Sequence, residues 1–208
     1  MSNPYPALIS RAPFADHPVN PSELHGVTVS DRDGLGLAIV LVRKDKTAAL
    51  AERIRSHFDI ELPQGPQRTT AGELALAGTG PGAWLATSER GRTALAQSLR
   101  ETIGDLASVS DQSDGYAVLR LSGPKLRATL CKLIPIDVHP RTFRIGDAAT
   151  TVAAHIGVTV WRLEDGPDGS PVFEIAMYRS YAGSFWHALS YSAAEFGIVV
   201  YDSIRTEA

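Results

Sequence analysis

At 208 residues, 44% of them hydrophobic, the chain is long enough to bury a sizeable core in one large domain or two small ones. Twenty lysines and arginines against twenty-three acidic residues leave a formal charge of -3, without the basic surplus that binding a phosphate backbone requires, so nucleic acid is not an expected partner. No apolar run approaches the ~18 residues of a membrane span, no apolar h-region opens the chain, and the lone Cys131 permits neither an intrachain disulfide nor a thiolate metal cluster; a cytoplasmic chain is expected.

Residues 1–26 are rich in proline and polar side chains, with apolar touches at Leu8, Ile9 and Phe14, and are expected to form an N-terminal arm. A first unit is expected over residues 27–112. In "GLGLAIVLVR" Leu35, Leu37, Ile39 and Leu41 alternate with Gly36, Ala38, Val40 and Val42, so both faces are apolar, as in a covered central strand. Leu50, Ile54 and Phe58 then recur every four residues among Arg53, Arg55 and His57, the stripe of an amphipathic helix starting near Thr47. Past "LPQGPQ", the runs "ELALAG" and "AWLATS" read as two strands joined at "GTGPG". Leu95, Leu99 and Ile103 mark a second helix closed by Gly104, and "LASVS" is a last short strand.

A second unit, expected over residues 113–208, repeats that order. "YAVLRLSG" is a strand, and Gly123-Pro124 places proline at a first helical position, ahead of the stripe Leu126, Leu130, Leu133 and Ile134. "TTVAAHIGVTVWRL" reads as one long strand with Val152, Ala154, Ile156, Val158 and Val160 on one face and Thr151, His155, Thr159 and Trp161 on the other. "EDGPDGSP" supplies turn residues before the return strand "VFEIAMY"; "SFWHALSYSAAEF" is a helix capped by Ser184, and "GIVVYD" ends the unit. Both units therefore read β-α-β-β-α-β, the split-βαβ or ferredoxin-like layout of an α+β protein.

The chemistry-bearing candidates are sparse. "GTGPG" lies between two strands, and Pro81 removes a donor, so a hairpin turn is expected there instead of a phosphate-cradling loop. Asp165 and Asp168 in "EDGPDGS" lack the alternating oxygen ligands and distal glutamate of a calcium loop. The six histidines form no H-x-x-x-H or H-E-x-x-H pair, so no metal site is expected; His57 reads as solvated. Cys131, on a leucine-lined helix, reads as a small buried hydrophobe. Ser184 and His187 are close enough along a helix to touch, and Ser180 lies nearby, but no acid orients the histidine and no oxyanion site accompanies it. The stretch Met177–Phe196 is thus expected to be structural, and no catalytic, cofactor-binding or metal-ligating residue is assigned.

The run "LRLSGPKLRATLCKLIPIDVHPRTFRIGDAATTVAAHIGVTVWRL", with "FEIAMYRSYAGSFWHALSYSAAEFG", resembles the gamma-subunit family of heterotetrameric sarcosine oxidase. The likeness is carried by Ser122-Gly123-Pro124, Ile136-Asp137, Phe143, Gly146, Arg179-Ser180 and Phe185-Trp186, together with Leu62-Pro63, Pro81 and Trp84-Leu85 in the first half. More distantly, "LSGPKLRATL" followed by "IDVHPRTFRIGDAATT" resembles the folate-binding aminomethyltransferase (glycine-cleavage T-protein) fold. The first resemblance implies a small non-catalytic structural or assembly subunit working with alpha, beta and delta partners. That complex would oxidatively demethylate sarcosine to glycine, formaldehyde or methylenetetrahydrofolate, and hydrogen peroxide. FAD, FMN, NAD and tetrahydrofolate are implied on the partner subunits and none in this chain. The second leaves open a stand-alone folate-binding or one-carbon-transfer protein. For the subunit reading, the expected interface residues are Trp161, His155, Arg179, Tyr181 and Trp186, because aromatics and arginine are enriched where surfaces become buried on assembly.

Overall fold

The computed structural model describes residues 13–14, 24–92 and 94–201; most of the expected arm therefore lies outside the described residues. Among the described residues, eleven strands form two sheets. The first half contributes β2 (Gly36–Val42), α1 (Thr47–Phe58), β3 (Arg68–Ala71), β4 (Leu74–Gly80), β5 (Ala83–Ser88), α2 (Ala94–Ile103) and β6 (Ala107–Asp111). Its five-stranded sheet runs β3-β4-β5-β2-β6. The second half contributes β7 (Tyr116–Ser122), α3 (Leu126–Leu133), β8 (Ala148–Ala153), β9 (Ile156–Arg162), β10 (Val172–Tyr178), a 3-10 turn at Arg179–Tyr181, α4 (Ala182–Ala193) and β11 (Ile198–Tyr201). With β1 (Val27–Asp31) these strands make a six-stranded sheet in the order β11-β1-β7-β10-β9-β8.

Apolar periodicity decides the layering. Leu50, Ile54, Leu95, Leu99 and Ile103 of α1 and α2 bury against Ala38, Val40, Leu76 and Trp84 on one face of the five-stranded sheet. Leu126, Leu130, Phe185 and Leu189 of α3 and α4 do the same against Leu119, Leu121, Phe173 and Ile175 of the other sheet. The remaining faces meet each other through Leu35, Leu37, Ala77 and Leu85 from one half and Val118, Ala148, Trp161 and Ala176 from the other. Helices, sheet, sheet and helices stack in that order, which buries both faces of the central strands and explains their continuous apolar runs.

Three departures from the sequence reading have local causes. The single long strand over Thr150–Leu163 is a hairpin: Ala154 and His155 adopt φ of 46° and 71°, and Ala153 pairs directly with Ile156. A two-residue loop of this kind ordinarily carries glycine or asparagine, so nothing in "AAHI" signals it. The turn moves Val152 to the face opposite Ile156 and leaves it exposed. Ser184 is not a cap, because α4 starts at Ala182 and Tyr181 occupies the capping position without a side-chain bond. Cys131 is exposed, not a core residue, because it lies off the Leu126, Leu130 and Leu133 stripe of α3.

The strand β1 falls within the span expected for the first unit, yet it hydrogen-bonds in the six-stranded sheet, antiparallel to β7 and parallel to β11. Its entry is pinned at Gly26, whose carbonyl accepts the Lys125 N–H at 2.9 Å. Gly123 crosses the same point at φ +119°, where a Cβ would stand 2.5 Å from the Gly26 oxygen, so only glycine fits. Pro124 sits in the turn before α3, and the helix begins two residues later at Leu126.

Candidate functional site

The inner face of the six-stranded sheet carries one polar row. Cross-strand register places Tyr201, Ser30, Arg120, Glu174, Trp161 and Ala148 side by side across β11, β1, β7, β10, β9 and β8. Glu174, 3% exposed, is the centre of it. Its Oε1 accepts from Arg120 Nε at 2.9 Å and Arg120 Nη2 at 2.8 Å, with Arg32 Nε at 3.1 Å, while Oε2 accepts the Trp161 indole N–H at 2.8 Å. Arg32 also pairs with Glu89 behind β5. From β3 of the opposite sheet, the Arg68 guanidinium lies 5.9 Å over the Trp161 ring. Burial pulls the Arg68 pKa below its usual range, against the opposing pull of Glu174. A carboxylate this buried needs its partners, since taking an ion out of water costs several kcal/mol unless it is paired and hydrogen-bonded.

Beyond Arg120 the row leaves the cover of the other sheet and forms the floor of an open cleft of about 710 Å³. Thr28 and Ser30 of β1 and Ser122 of β7 line it beside Arg120, and the β9–β10 loop walls it with Glu164, Asp168 and Ser170. That loop is stiffened by its own bonds. Arg162 Nη2 donates to both carboxylate oxygens of Asp165 at 2.9 and 3.1 Å. Asp168 accepts the Ser170 backbone N–H at 3.0 Å and hydroxyl at 2.7 Å, which hold its carboxyl below the usual range.

A second polar group gathers where the chain passes between the sheets. Asp31 is pushed up to about 6 by burial first and by neighbouring Asp33 next, against the opposing pull of Arg179. Arg92 bridges Asp33 and Asp114 there. Ser113 ties the two halves together: its Oγ accepts the Leu37 N–H at 3.0 Å and donates toward the Arg92 carbonyl at 2.9 Å.

The five residues expected at an interface separate into two groups. Trp161 is 1% exposed and its ring lies between the chain's own sheets, while Trp186 is 6% exposed, sits in the α3/α4 core and is covered by Phe14 at a centroid distance of 6.3 Å. Both rings are enclosed within the chain's own layers. His155 is exposed at the β8–β9 turn. Tyr181 is exposed beside half-buried Arg179, and exposed Tyr178 adjoins them, its ring 4.8 Å from Tyr116. Ser180, Ser184 and His187 are all exposed, the last two on α4. His57 is exposed on α1, in line with its solvated reading. Gly78–Gly82 join β4 to β5 with a register shift, which makes "GTGPG" the hairpin connection expected. Among the described residues no group of three His, Cys, Asp or Glu could hold a metal ion, and no helix is long and apolar enough to cross a membrane.

The Arg120–Glu174 row was missed in the sequence, although it left a trace: one arginine within "YAVLRLS" and one glutamate within "VFEIAMY" interrupt otherwise apolar strands. Charged residues at such positions are almost never buried unless paired, and two in neighbouring strands were a signal that they meet.

A model described as "Sarcosine oxidase, gamma subunit family" matches residues 43–195. The sarcosine oxidase gamma subunit of Corynebacterium sp. (strain P-1) is 38% identical over 118 residues, 55% of this chain and 56% of that protein. Its counterpart from Arthrobacter sp. is 35% identical over 103 residues, 49% and 51% respectively. The chain thus spans about half the length of the curated relatives it matches. Among solved structures, a chain of heterotetrameric sarcosine oxidase from Corynebacterium sp. U-96 is similar at TM-score 0.74 and 26% identity, over 90% of this chain and 96% of that one. The aminomethyltransferase T of the glycine cleavage system from Bartonella henselae reaches TM-score 0.60 at 16% identity, over 85% of this chain and 48% of that one, a likeness of fold alone.

Proposed function

The chain belongs to the sarcosine oxidase gamma subunit family, and from that premise we propose that it is the small structural subunit of a heterotetrameric sarcosine oxidase, assembling with alpha, beta and delta partners in the cytoplasm. The observation that carries the reading is the family match over residues 43–195, joined to a fold similar over almost the whole of a chain from such a heterotetramer. In the complex, sarcosine is demethylated oxidatively to glycine, with formaldehyde or methylenetetrahydrofolate and hydrogen peroxide as the other products. The partners hold FAD, FMN, NAD and tetrahydrofolate, and the cofactors perform the hydride and electron chemistry while protein supplies binding and placement. This chain contributes rigidity: two sheets locked face to face by an apolar layer and a buried ion cluster.

In this reading the chain divides into an arm (residues 1–26) and two elaborated split-βαβ units (27–112 and 113–208). His155, Arg179 and Tyr181 are its interface residues, because they bring aromatic and arginine surface to one chain while remaining accessible. The test is purification of the tagged chain from its native cytosol, followed by identification of co-purifying proteins, flavin absorbance and sarcosine-dependent peroxide production. Stoichiometric flavin-bearing partners with that activity are expected; a lone, colourless chain overturns the proposal.

A further inference from the structure

Arg120 is held in an unusual way for a residue at the mouth of a cleft. Its Nε and Nη2 both engage Oε1 of Glu174, a carboxylate only 3% exposed that is fixed in turn by Trp161 and Arg32. Nη1 makes no hydrogen bond among the described residues, and the side chain is 39% exposed. One edge of a planar, permanently charged fork is therefore clamped, and its free edge is left toward the cleft. Directly across the strands stands Ser30, and two positions along β7 stands Ser122, both lining the same 710 Å³ space.

Arg120 is the one arginine of the cleft lining; Arg32 and Arg68 belong to the buried row around Glu174 and Trp161, and the cleft's carboxylates, Glu164 and Asp168, stand on the β9–β10 loop. A clamped guanidinium flanked by hydroxyls recognises a carboxylate or phosphate group through charge-assisted hydrogen bonds, and the cleft has the size of small-molecule sites. We infer that this cleft binds the anionic group, carboxylate or phosphate, of a small molecule, with Arg120 as its anchor and Ser30 and Ser122 as additional donors. Glu164 and Asp168 on the facing loop exclude a second anionic group and suit N–H or ammonium donors at the ligand's far end. The site is independent of the subunit assignment, since every residue in it belongs to this chain.

Calorimetric titration of the full-length protein as it purifies, at fixed ionic strength, with inorganic phosphate and separately with acetate tests the inference. Saturable binding of at least one anion is expected, and the one that binds identifies the source as a phosphorylated or a carboxylated compound. Arg120→Gln is expected to weaken that binding at least about tenfold. The Ser30→Ala/Ser122→Ala pair, which leaves Glu174 and its partners in place, is expected to weaken it about fivefold. Absence of saturable binding by either anion, or equal affinity in a folded Arg120→Gln variant, overturns the inference. Should Arg120→Gln fail to fold, undiminished affinity in the serine variant overturns it equally.

Discussion

The two halves of the molecule share an element order and differ in what they place on the inner faces of corresponding strands. Each half runs strand, helix, three strands, helix, strand, with the strand after the second helix on the far side of the first strand. In the first half the central antiparallel pair opposes Ile39 to Leu85 and Leu37 to Thr87. In the second, the same pair opposes Arg120 to Glu174 and Ser122 to Val172. The first half also closes its sheet directly, β2 against β6, whereas the second admits β1 between β7 and β11. One topology thus serves as an apolar pad on one side and as a polar, widened sheet on the other. Extra width is what uncovers a floor, because the five-stranded sheet is too narrow to roof a six-stranded one.

If that contrast is right, the halves respond differently to loss of their central inner residues. Glu174→Ala leaves Arg120 and Arg32 against each other in a partly buried space and is expected to cost about 4 kcal/mol, as broken buried pairs do. Replacing both partners, Arg120→Leu with Glu174→Leu, is expected to recover much of that loss by making the second half resemble the first. Urea unfolding of the three proteins measures this, and a double variant no more stable than Glu174→Ala breaks the comparison. Leu85→Ala, in the apolar pad, is expected to cost about 3 kcal/mol through lost transfer and a residual cavity, with no rescue from any charge change.

The smallest effect concerns the connection between the halves. The Asp31 carboxyl is raised on folding to about 6 from 3.8, chiefly by burial, so the folded chain binds that proton more tightly than the unfolded one. Its contribution is therefore present at about pH 4, declines as pH climbs through about 6 and stays at the lower level beyond it. Asp31→Asn is expected to flatten this decline. Unfolding midpoints measured from pH 4 to 7 check it, and an identical slope in the variant places the titration elsewhere.

Much of this architecture was legible in the sequence because period carries it. The central strands, all four helices and the "GTGPG" connection follow from alternation, four-residue stripes and turn residues at the places where they were read. What escaped was structure without a compositional mark. The strands Val27–Asp31 and Arg68–Ala71 are short and mixed in character; the first is recruited by strands distant in sequence, the second pairs with β4 across the two residues that separate them. The Ala154–His155 turn lacks turn residues, so unbroken alternation ran through it. The candidate site was harder still, since burial of Trp161 and the meeting of Arg120 with Glu174 depend on sheet register, which no local pattern states.

The parallel pairing of β1 with β11 joins the first and last strands of the described chain, Val27 opposite Ile198. During synthesis the five-stranded half has all of its strands once Asp111 has been made, and the pairings of those strands lie within that half. The six-stranded half must wait. The second strand of its spatial order precedes the others in the chain and has no parallel neighbour until Ile198–Tyr201 have been made. Contacts between such distant residues close slowly and late, so β1, once paired with β7 on one side, keeps its other edge open until β11 has been made.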